Sequence, residues 1–188
     1  MLNSVVALFN AGAAAAAGDY ESIATVTVGS GGAANVEFTS IATDWTHLQI
    51  RCIARTDRAS TSDALKVTFN SDTGANYAYH QLYGQGTSVI SGGGSSASQI
   101  YADRMSAASA TASIFGAAVI DILDYANTNK YKTLRSLGGV DLNGSGEMHL
   151  DSGLWQNTNA ITSIKLVPNV GPNFVQYSHF ALYGIKGA

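Results

Sequence analysis

The order of apolar and polar side chains along most of the chain predicts short β-strands. In THLQIRCIAR, the side chains of Leu48, Ile50 and Cys52 fall on one face of an extended chain and polar side chains fall on the other. LKVTF alternates in the same way, and SIATVTV and ANVEFTS are rich in β-branched residues. Segments such as GSGGA, SDTGAN and NGSG separate these runs and are typical of turns.

Two longer runs indicate strands inside a sheet. ASIFGAAVIDILDY is almost continuously apolar, which is typical of a central strand covered on both faces. Phe180, Leu182, Tyr183 and Ile185 lie close to the C-terminus, and a solvated tail would not carry so many apolar side chains. We therefore expect the last strand to be internal to its sheet.

Many short strands with little helical pattern predict an all-β fold. We expect a β-sandwich of the jelly-roll type over residues 19–188, and a closed barrel is the alternative. SGGGSSAS, residues 91–98, has the composition of a flexible loop within this domain. It is not a domain linker, because strand-like sequence continues on both sides of it.

The first 18 residues differ from the rest of the chain. They carry no charge, and Leu2, Val5, Val6 and Phe9 recur at the spacing that places them on one face of a short helix. A secretory signal would need basic residues, and a membrane helix would need about 20 uninterrupted apolar residues. Two interpretations remain: an edge of the domain's own core, or an assembly arm that packs on another subunit or protein. We favour the arm.

Composition narrows the classes of function. Charged residues make up 12% of the chain and the net charge is −3, which gives no basis for binding nucleic acid or an anionic membrane. The single cysteine, Cys52, excludes an internal disulfide framework. Its apolar neighbours indicate a small buried side chain rather than a reactive thiol.

No motif of known chemistry stands out in the sequence. The four histidines lack the close His or Cys neighbours of a zinc site, and we interpret each as a half-buried structural side chain. Asp121 and Asp124 fall on opposite faces of a strand and do not form an acid–base pair. VDLNGSGEM faintly resembles a calcium loop, but a tight Asn-Gly turn explains it equally well. We therefore expect no catalysis and no bound metal or cofactor.

The aromatic residues of NYAYHQLYGQG offer a candidate binding surface. Tyr77, Tyr79 and Tyr83 have the same parity on a strand, so they share one face on which sugars of a host glycan could stack. Trp155, at a strand end beside a polar loop, is a further candidate. The alternative is that these rings close the edge of the core, and we favour that alternative for the tyrosines.

Several stretches of the chain resemble small virion structural proteins of tailed bacteriophages. They are YESIATVTVGSGGAANVEFTSI, THLQIRCIARTD, DILDYANTNKYKTLRSLGG and the closing FALYGIKG. The resemblance runs from about Tyr20 to the C-terminus, and the closing aromatic-YGIK segment is its most distinctive part. It implies a virion structural protein of the tail-fibre or capsid-surface type, and it carries over no catalytic residue.

Two functions are compatible with this resemblance. The first is host attachment by a tail-fibre or fibre-tip component, a homotrimer that binds a host surface glycan, and we favour it. The second is a capsid decoration or cement protein that stabilises the phage head. In either case the expected partners are other copies of the chain and other virion proteins at the outer surface of the particle. No nucleic acid and no membrane insertion are expected.

Overall fold

A computed structural model describes residues 18–187 of the chain. These residues form twelve β-strands, and none of them is helical, so the predicted all-β class is confirmed. The strands are β1 (Tyr20–Thr27), β2 (Val36–Phe38), β3 (His47–Ala54), β4 (Ser62–Phe69), β5 (Tyr77–Gln85), β6 (Ser88–Ala97), β7 (Ile100–Ser106), β8 (Gly116–Leu123), β9 (Lys132–Asp141), β10 (Gly146–Trp155), β11 (Ile164–Pro168) and β12 (His179–Ile185).

The strands pack as two antiparallel sheets of unequal size. The larger sheet has the order β1-β12-β3-β8-β9-β10-β5-β6, and the smaller has the order β2-β11-β4-β7. Two separate sheets confirm the predicted β-sandwich and differ from a closed barrel. The last strand, β12, lies between β1 and β3, so the prediction that it is internal is confirmed.

Strand pairing follows a nested order along the chain. β1 pairs with β12, β2 with β11, β3 with β8 and β4 with β7. The hairpins β5–β6 and β9–β10 lie between these partners and add four strands to one side of the larger sheet. In the second hairpin, Asn143 and Gly144 have φ values of 59° and 102°. They form the tight turn predicted from the Asn-Gly pair.

The core lies between the two sheets. The faces of β3 and β4 that alternation predicts to be apolar are buried there. At one end of the core the ring centroid of Trp155 lies 5.7 Å from that of Phe69 and 6.4 Å from that of Tyr77. Large rings at these separations bury much apolar area and stabilise the contact between the sheets.

The glycine-rich segment 91–98 is not a loop, and the prediction that it is one is wrong. It forms most of β6, the edge strand that pairs with β5. Gly93 and Gly94 are suited to this place, because a Cβ atom would come within 2.8 Å of the Tyr79 carbonyl oxygen and within 2.9 Å of the Tyr79 ring, respectively. Glycine at these positions therefore allows β6 to lie close to Tyr79 on β5.

The sandwich has two distinct ends. Tyr20, where β1 begins, pairs with Ile185, where β12 ends, so the first and last described residues meet at what we call the terminal end. The opposite end, which we call the loop end, carries the connections 28–35, 55–61, 107–115 and 169–178. The predicted arm, with Leu2, Val5, Val6 and Phe9, lies outside the described residues.

The closing FALYGIKG segment packs tightly through Gly184. A Cβ atom on Gly184 would overlap the indole ring of Trp45, so the contact requires glycine. Replacing Gly184 with Ala should therefore lower the free energy of unfolding by about 1–3 kcal/mol through overpacking. Gly84→Ala is the matched control on a strand, since no heavy atom lies within 4 Å of its added Cβ. Equal unfolding midpoints in denaturant for the two variants would contradict this account.

Candidate functional site

The tyrosine row of β5 faces the interior of the sandwich. Tyr77, Tyr79 and Tyr83 do share one face, as predicted, but Tyr77 is fully buried and its hydroxyl accepts a hydrogen bond from the Phe69 N–H at 3.0 Å. Trp155 is 1% exposed. Both rings are therefore packed in the core, which agrees with the interpretation favoured for the tyrosines, and neither ring is exposed to a glycan.

Tyr79 and Tyr83 are half-buried on the same inner face. The Tyr79 ring meets the edge of Tyr101 at a centroid distance of 4.9 Å, and the Tyr83 ring stacks on His149 at 4.7 Å. Each ring thus has one side covered by a neighbour of this chain. Glycan contact by these two residues stays a prediction.

A cluster of charged side chains is buried beneath the added hairpins. It consists of Asp103 on β7 and Glu147, His149 and Asp151 on β10, which are 0–6% exposed, and we call it the buried acidic cluster. The Nε2 atom of His149 lies 3.0 Å from Glu147 Oε2, and its Nδ1 atom lies 3.9 Å from Asp151 Oδ1. The four residues therefore form one electrostatic unit between the sheets.

The cluster is a feature that the sequence analysis did not find. The half-buried state predicted for each histidine is wrong for His149, which is 2% exposed, and for His80, which is exposed. His47 and His179 are half-buried, as predicted. A usable signal was the recurrence of Glu, His and Asp at every second residue of GEMHLDSGLW, which places them on one face of a strand.

The charges within the cluster shift one another's protonation. Burial alone would lower the pKa of His149, but the carboxylates of Asp151 and Glu147 outweigh burial and raise that pKa to about 9. Burial raises the pKa of Asp103 to about 7. The hydrogen bond from His149 lowers the pKa of Glu147. At neutral pH the imidazole is therefore a cation held between carboxylates.

Several polar atoms of this region have no hydrogen-bond partner among the described residues. Two of the three carboxylates contribute to this set, and Ser136 lies directly opposite Asp151 on the neighbouring strand. The atoms are Asp103 Oδ2, Ser136 Oγ, His149 Nδ1, Asp151 Oδ1 and Asp151 Oδ2. Burying such atoms unpaired is costly, so the cluster makes this part of the core less stable than an apolar core of the same volume.

The outer face of the larger sheet is apolar at its centre. Val119 pairs with Leu137, Leu137 with Leu150, and Leu150 with Leu82, so that four neighbouring strands present aliphatic side chains side by side. They are 37%, 56%, 48% and 47% exposed in that order, and we call them the aliphatic row. The prediction that β8 is covered on both faces is wrong for the described residues, because Ala117, Val119 and Leu123 are exposed on its outer face.

The apolar surface is wider than the aliphatic row. One step toward the loop end, Ile53, Met148 and Val89 point outward and are 47%, 65% and 78% exposed. One step toward the terminal end the surface is polar, and Asp121 accepts hydrogen bonds from Gln49 at 2.8 Å and Arg135 at 3.2 Å. A contiguous apolar patch beside a polar rim is typical of a protein interaction site.

β10 turns its polar side chains inward and its apolar side chains outward. Trp155 is packed in the core, and because side chains alternate along a strand, Asp151, His149 and Glu147 must point to the same side. Met148 and Leu150 must then point outward, where a solvated sheet would carry polar residues. The outer face is therefore the strongest candidate interaction site of the described residues.

The loop end is held rigid by charged side chains. The Arg55 guanidinium donates hydrogen bonds of 2.8–3.2 Å to four backbone carbonyls of the connection 107–115. The buried carboxylate of Asp63 accepts the N–H groups of Val170 and Gly171 at 3.2 and 2.8 Å. Tyr177 is 70% exposed on this end. The loop end is therefore a second, smaller candidate surface.

The buried acidic cluster should make stability depend on pH. Because the folded-state pKa of His149, about 9, exceeds its ordinary value of 6.5, its stabilising effect is complete below pH 6.5 and is lost toward pH 9. Asp103 keeps its proton up to about pH 7, above its ordinary 3.8, so folded stability also declines from about pH 4 to 7. We expect the free energy of unfolding in urea to fall by on the order of 2 kcal/mol between pH 5 and pH 9.

His149→Gln should reduce the decline between pH 6.5 and pH 9. A smaller decline from Asp103 should remain, because the His149 charge lowers the pKa of Asp103 and its loss moves that titration above pH 7. His80→Gln, at an exposed position on the neighbouring strand, should leave that decline unchanged. An undiminished decline in the His149 variant would refute the assignment.

The Cys52 thiol should be inert in the folded protein. It is 6% exposed, which confirms the predicted burial, and burial raises its pKa to about 12. Since the thiolate is the reactive form, an aromatic disulfide reagent at pH 8 should not modify Cys52 until the protein is unfolded. Rapid modification of the native protein, followed by absorbance, would show that this part of β3 opens.

Neither a metal site, a membrane-spanning helix nor a known relative indicates a function for the described residues. Among residues 18–187, no three His, Cys, Asp or Glu side chains are arranged to hold a metal ion. Within the same range there is no helix long and apolar enough to cross a membrane. No protein-family model, no curated protein and no solved structure matches the chain.

Proposed function

We propose that this protein is a non-catalytic structural component of a bacteriophage virion that assembles through the outer face of its larger sheet. The observation that carries the proposal is the aliphatic row, which places four exposed aliphatic side chains in register on neighbouring strands. A monomer in water gains nothing from such a surface, whereas a subunit of an assembly does.

The strength of one such contact is modest. Covering a half-exposed aliphatic side chain contributes on the order of 1 kcal/mol, so the aliphatic row with Ile53, Met148 and Val89 supplies several kcal/mol. Lost freedom of the partners offsets part of this. A contact of this size becomes effective where it is repeated, as in a homotrimer or on the surface of a particle.

Within the virion we place the protein among tail-fibre or fibre-tip components that attach to the host. The observation that favours this position is the loop end, which lies opposite the terminal end and is stiffened by Arg55 and Asp63. A subunit that is anchored at its terminal end would present these loops and Tyr177 outward. The alternative, a capsid decoration protein, is favoured by the breadth of the apolar face.

We further infer that the sandwich is of the jelly-roll type. The nested pairs β1·β12, β2·β11, β3·β8 and β4·β7 support this, because rolling up one long antiparallel hairpin produces that order in two four-stranded sheets. The hairpins β5–β6 and β9–β10 are then insertions that widen one sheet.

The absence of catalysis is part of the proposal. The buried acidic cluster is the group of side chains most similar to an acid–base set, and Glu147 and His149 within it are only 6% and 2% exposed. A general acid must come within hydrogen-bond reach of its substrate, and burial opposes this. The cluster is better suited to setting stability than to turnover.

Replacing Leu137 and Leu150 together with Ser should reduce incorporation into purified phage particles at least about tenfold, the effect of losing about 1.4 kcal/mol of contact. Both positions are about half exposed, at 56% and 48%, so the fold should persist. Val170→Ser, at a 59% exposed position on the loop end, is the matched control. Immunoblotting of particles measures incorporation.

The same particles decide between the two positions on the virion. A quantitative gel should show a few copies, in multiples of three, for a tail fibre, whereas copies in the hundreds would replace that position with capsid decoration. Complete absence of the wild-type protein from particles would contradict a virion function.

A further inference from the structure

We propose that the aliphatic row is the docking site for residues 2–9 of a second copy of this chain. The inference deepens the proposed function, on which it rests, by naming what covers the outer face.

The two surfaces match in chemistry. The aliphatic row has no charged member, and its neighbours on the loop-end side are Ile53, Ala117 and Met148. Residues 2–9 also carry no charge, and on a helix the side chains of Leu2, Val5, Val6 and Phe9 would form one apolar face. An apolar helix face on an apolar sheet face excludes water from both.

The direction of the chain favours a second copy over the same copy. β1 runs from the terminal end toward the loop end, and its pairing already begins before Tyr20, since the Lys186 N–H donates to the Asp19 carbonyl at 2.9 Å. The described chain therefore enters the larger sheet at its terminal end. The aliphatic row lies in the opposite direction, because Val119 is four positions inside the sheet from Leu123 at that end.

The outer face near β1 is already occupied by an aromatic stack. The Tyr20 ring lies 4.8 Å from the Tyr183 ring, and the Arg51 guanidinium lies 5.5 Å from the centre of Tyr20. This stack covers β1, β12 and β3 between the chain entry and the aliphatic row. A segment that folded back onto its own sheet would have to reverse direction at Gly18 and cross this aromatic stack.

The length of the segment fits the site. Residues 2–9 on a helix would span about 10 Å, at about 1.5 Å per residue. The aliphatic row from Val119 on β8 to Leu82 on β5 crosses three strand spacings, about 14 Å, so the helix would cover most of the row. Residues 10–17, which include five consecutive alanines, then bridge up to about 25 Å between neighbouring copies when extended.

The full-length protein should form a concentration-dependent oligomer in analytical ultracentrifugation. Val5→Ser with Phe9→Ser should shift it to monomer, and Leu137→Ser with Leu150→Ser should do the same. Combining all four substitutions should add nothing, because both pairs break one contact. Val170→Ser serves as the control and should leave the oligomer intact.

Cross-linking identifies the chain that supplies the segment. Copies carrying Phe9→Cys are mixed with copies carrying Leu137→Cys and oxidised, and a disulfide-linked dimer should appear on a non-reducing gel. Cys52 does not compete, because it is buried. Val170→Cys replaces Leu137→Cys in the control mixture, which should give no such dimer.

Each other outcome overturns the inference. A monomeric wild-type protein, or an oligomer that resists the Val5 and Phe9 substitutions, would show that residues 2–9 do not hold copies together. A link that forms only when both cysteines are in one chain would show that the segment covers its own sheet. If these results occurred while the Leu137 and Leu150 variant was still lost from particles, the proposed function would stand with a different partner on the aliphatic row.

Discussion

The four strands of the smaller sheet are too few to cover the inner face of the eight-stranded larger sheet. At a strand spacing of about 4.8 Å the larger sheet is about 34 Å wide, whereas the smaller sheet is about 14 Å wide. The edge strand β7 of the smaller sheet packs against β8, β9, β10 and β5 of the larger sheet. This difference in width determines which parts of the larger sheet are buried among apolar side chains, which contact buried charges, and which are exposed to other proteins.

The buried acidic cluster lies where cover by the smaller sheet ends. β7 supplies Asp103 and Arg104, and Arg104 Nε lies 3.4 Å from Glu147 on β10. The added hairpins are therefore joined to the rest of the sandwich partly through ion pairs rather than through aliphatic packing. Ion pairs at the margin of a core provide less stability than apolar contacts do, and they respond to pH. The half of the larger sheet that carries the exposed apolar surface is therefore also the half whose packing against the smaller sheet depends more on pH.

Local alternation predicted most of the fold correctly. The buried faces of β3 and β4 and the internal position of β12 could all be read from residues that are neighbours in sequence. The same reasoning failed where a strand's orientation is set from a distance. In β10 the contact of Trp155 with Phe69 forces the charged residues inward, and no property of GEMHLDSGLW alone indicates that choice.

The remaining errors have similar physical causes. The composition of SGGGSSAS indicates a loop, but the aromatic face of β5 accommodates a strand without side chains. The apolar run of β8 correctly predicted a central strand. The sequence does not show that the described residues leave the outer face of this strand exposed. The sequence contains the residues of the aliphatic row, but it does not show that they align on four neighbouring strands.

The position of the chain ends has a mechanical consequence. Both described ends lie at the terminal end, and β1 runs the full length of its contact with β12 toward the loop end. A force applied between the N-terminal side and the loop end would act parallel to β1. The hydrogen bonds from Tyr20 to Thr27 would then bear the load together, in shear, instead of opening one after another. Such an arrangement lets β1 resist a pull along its own axis, whereas a sideways pull would open its hydrogen bonds one at a time.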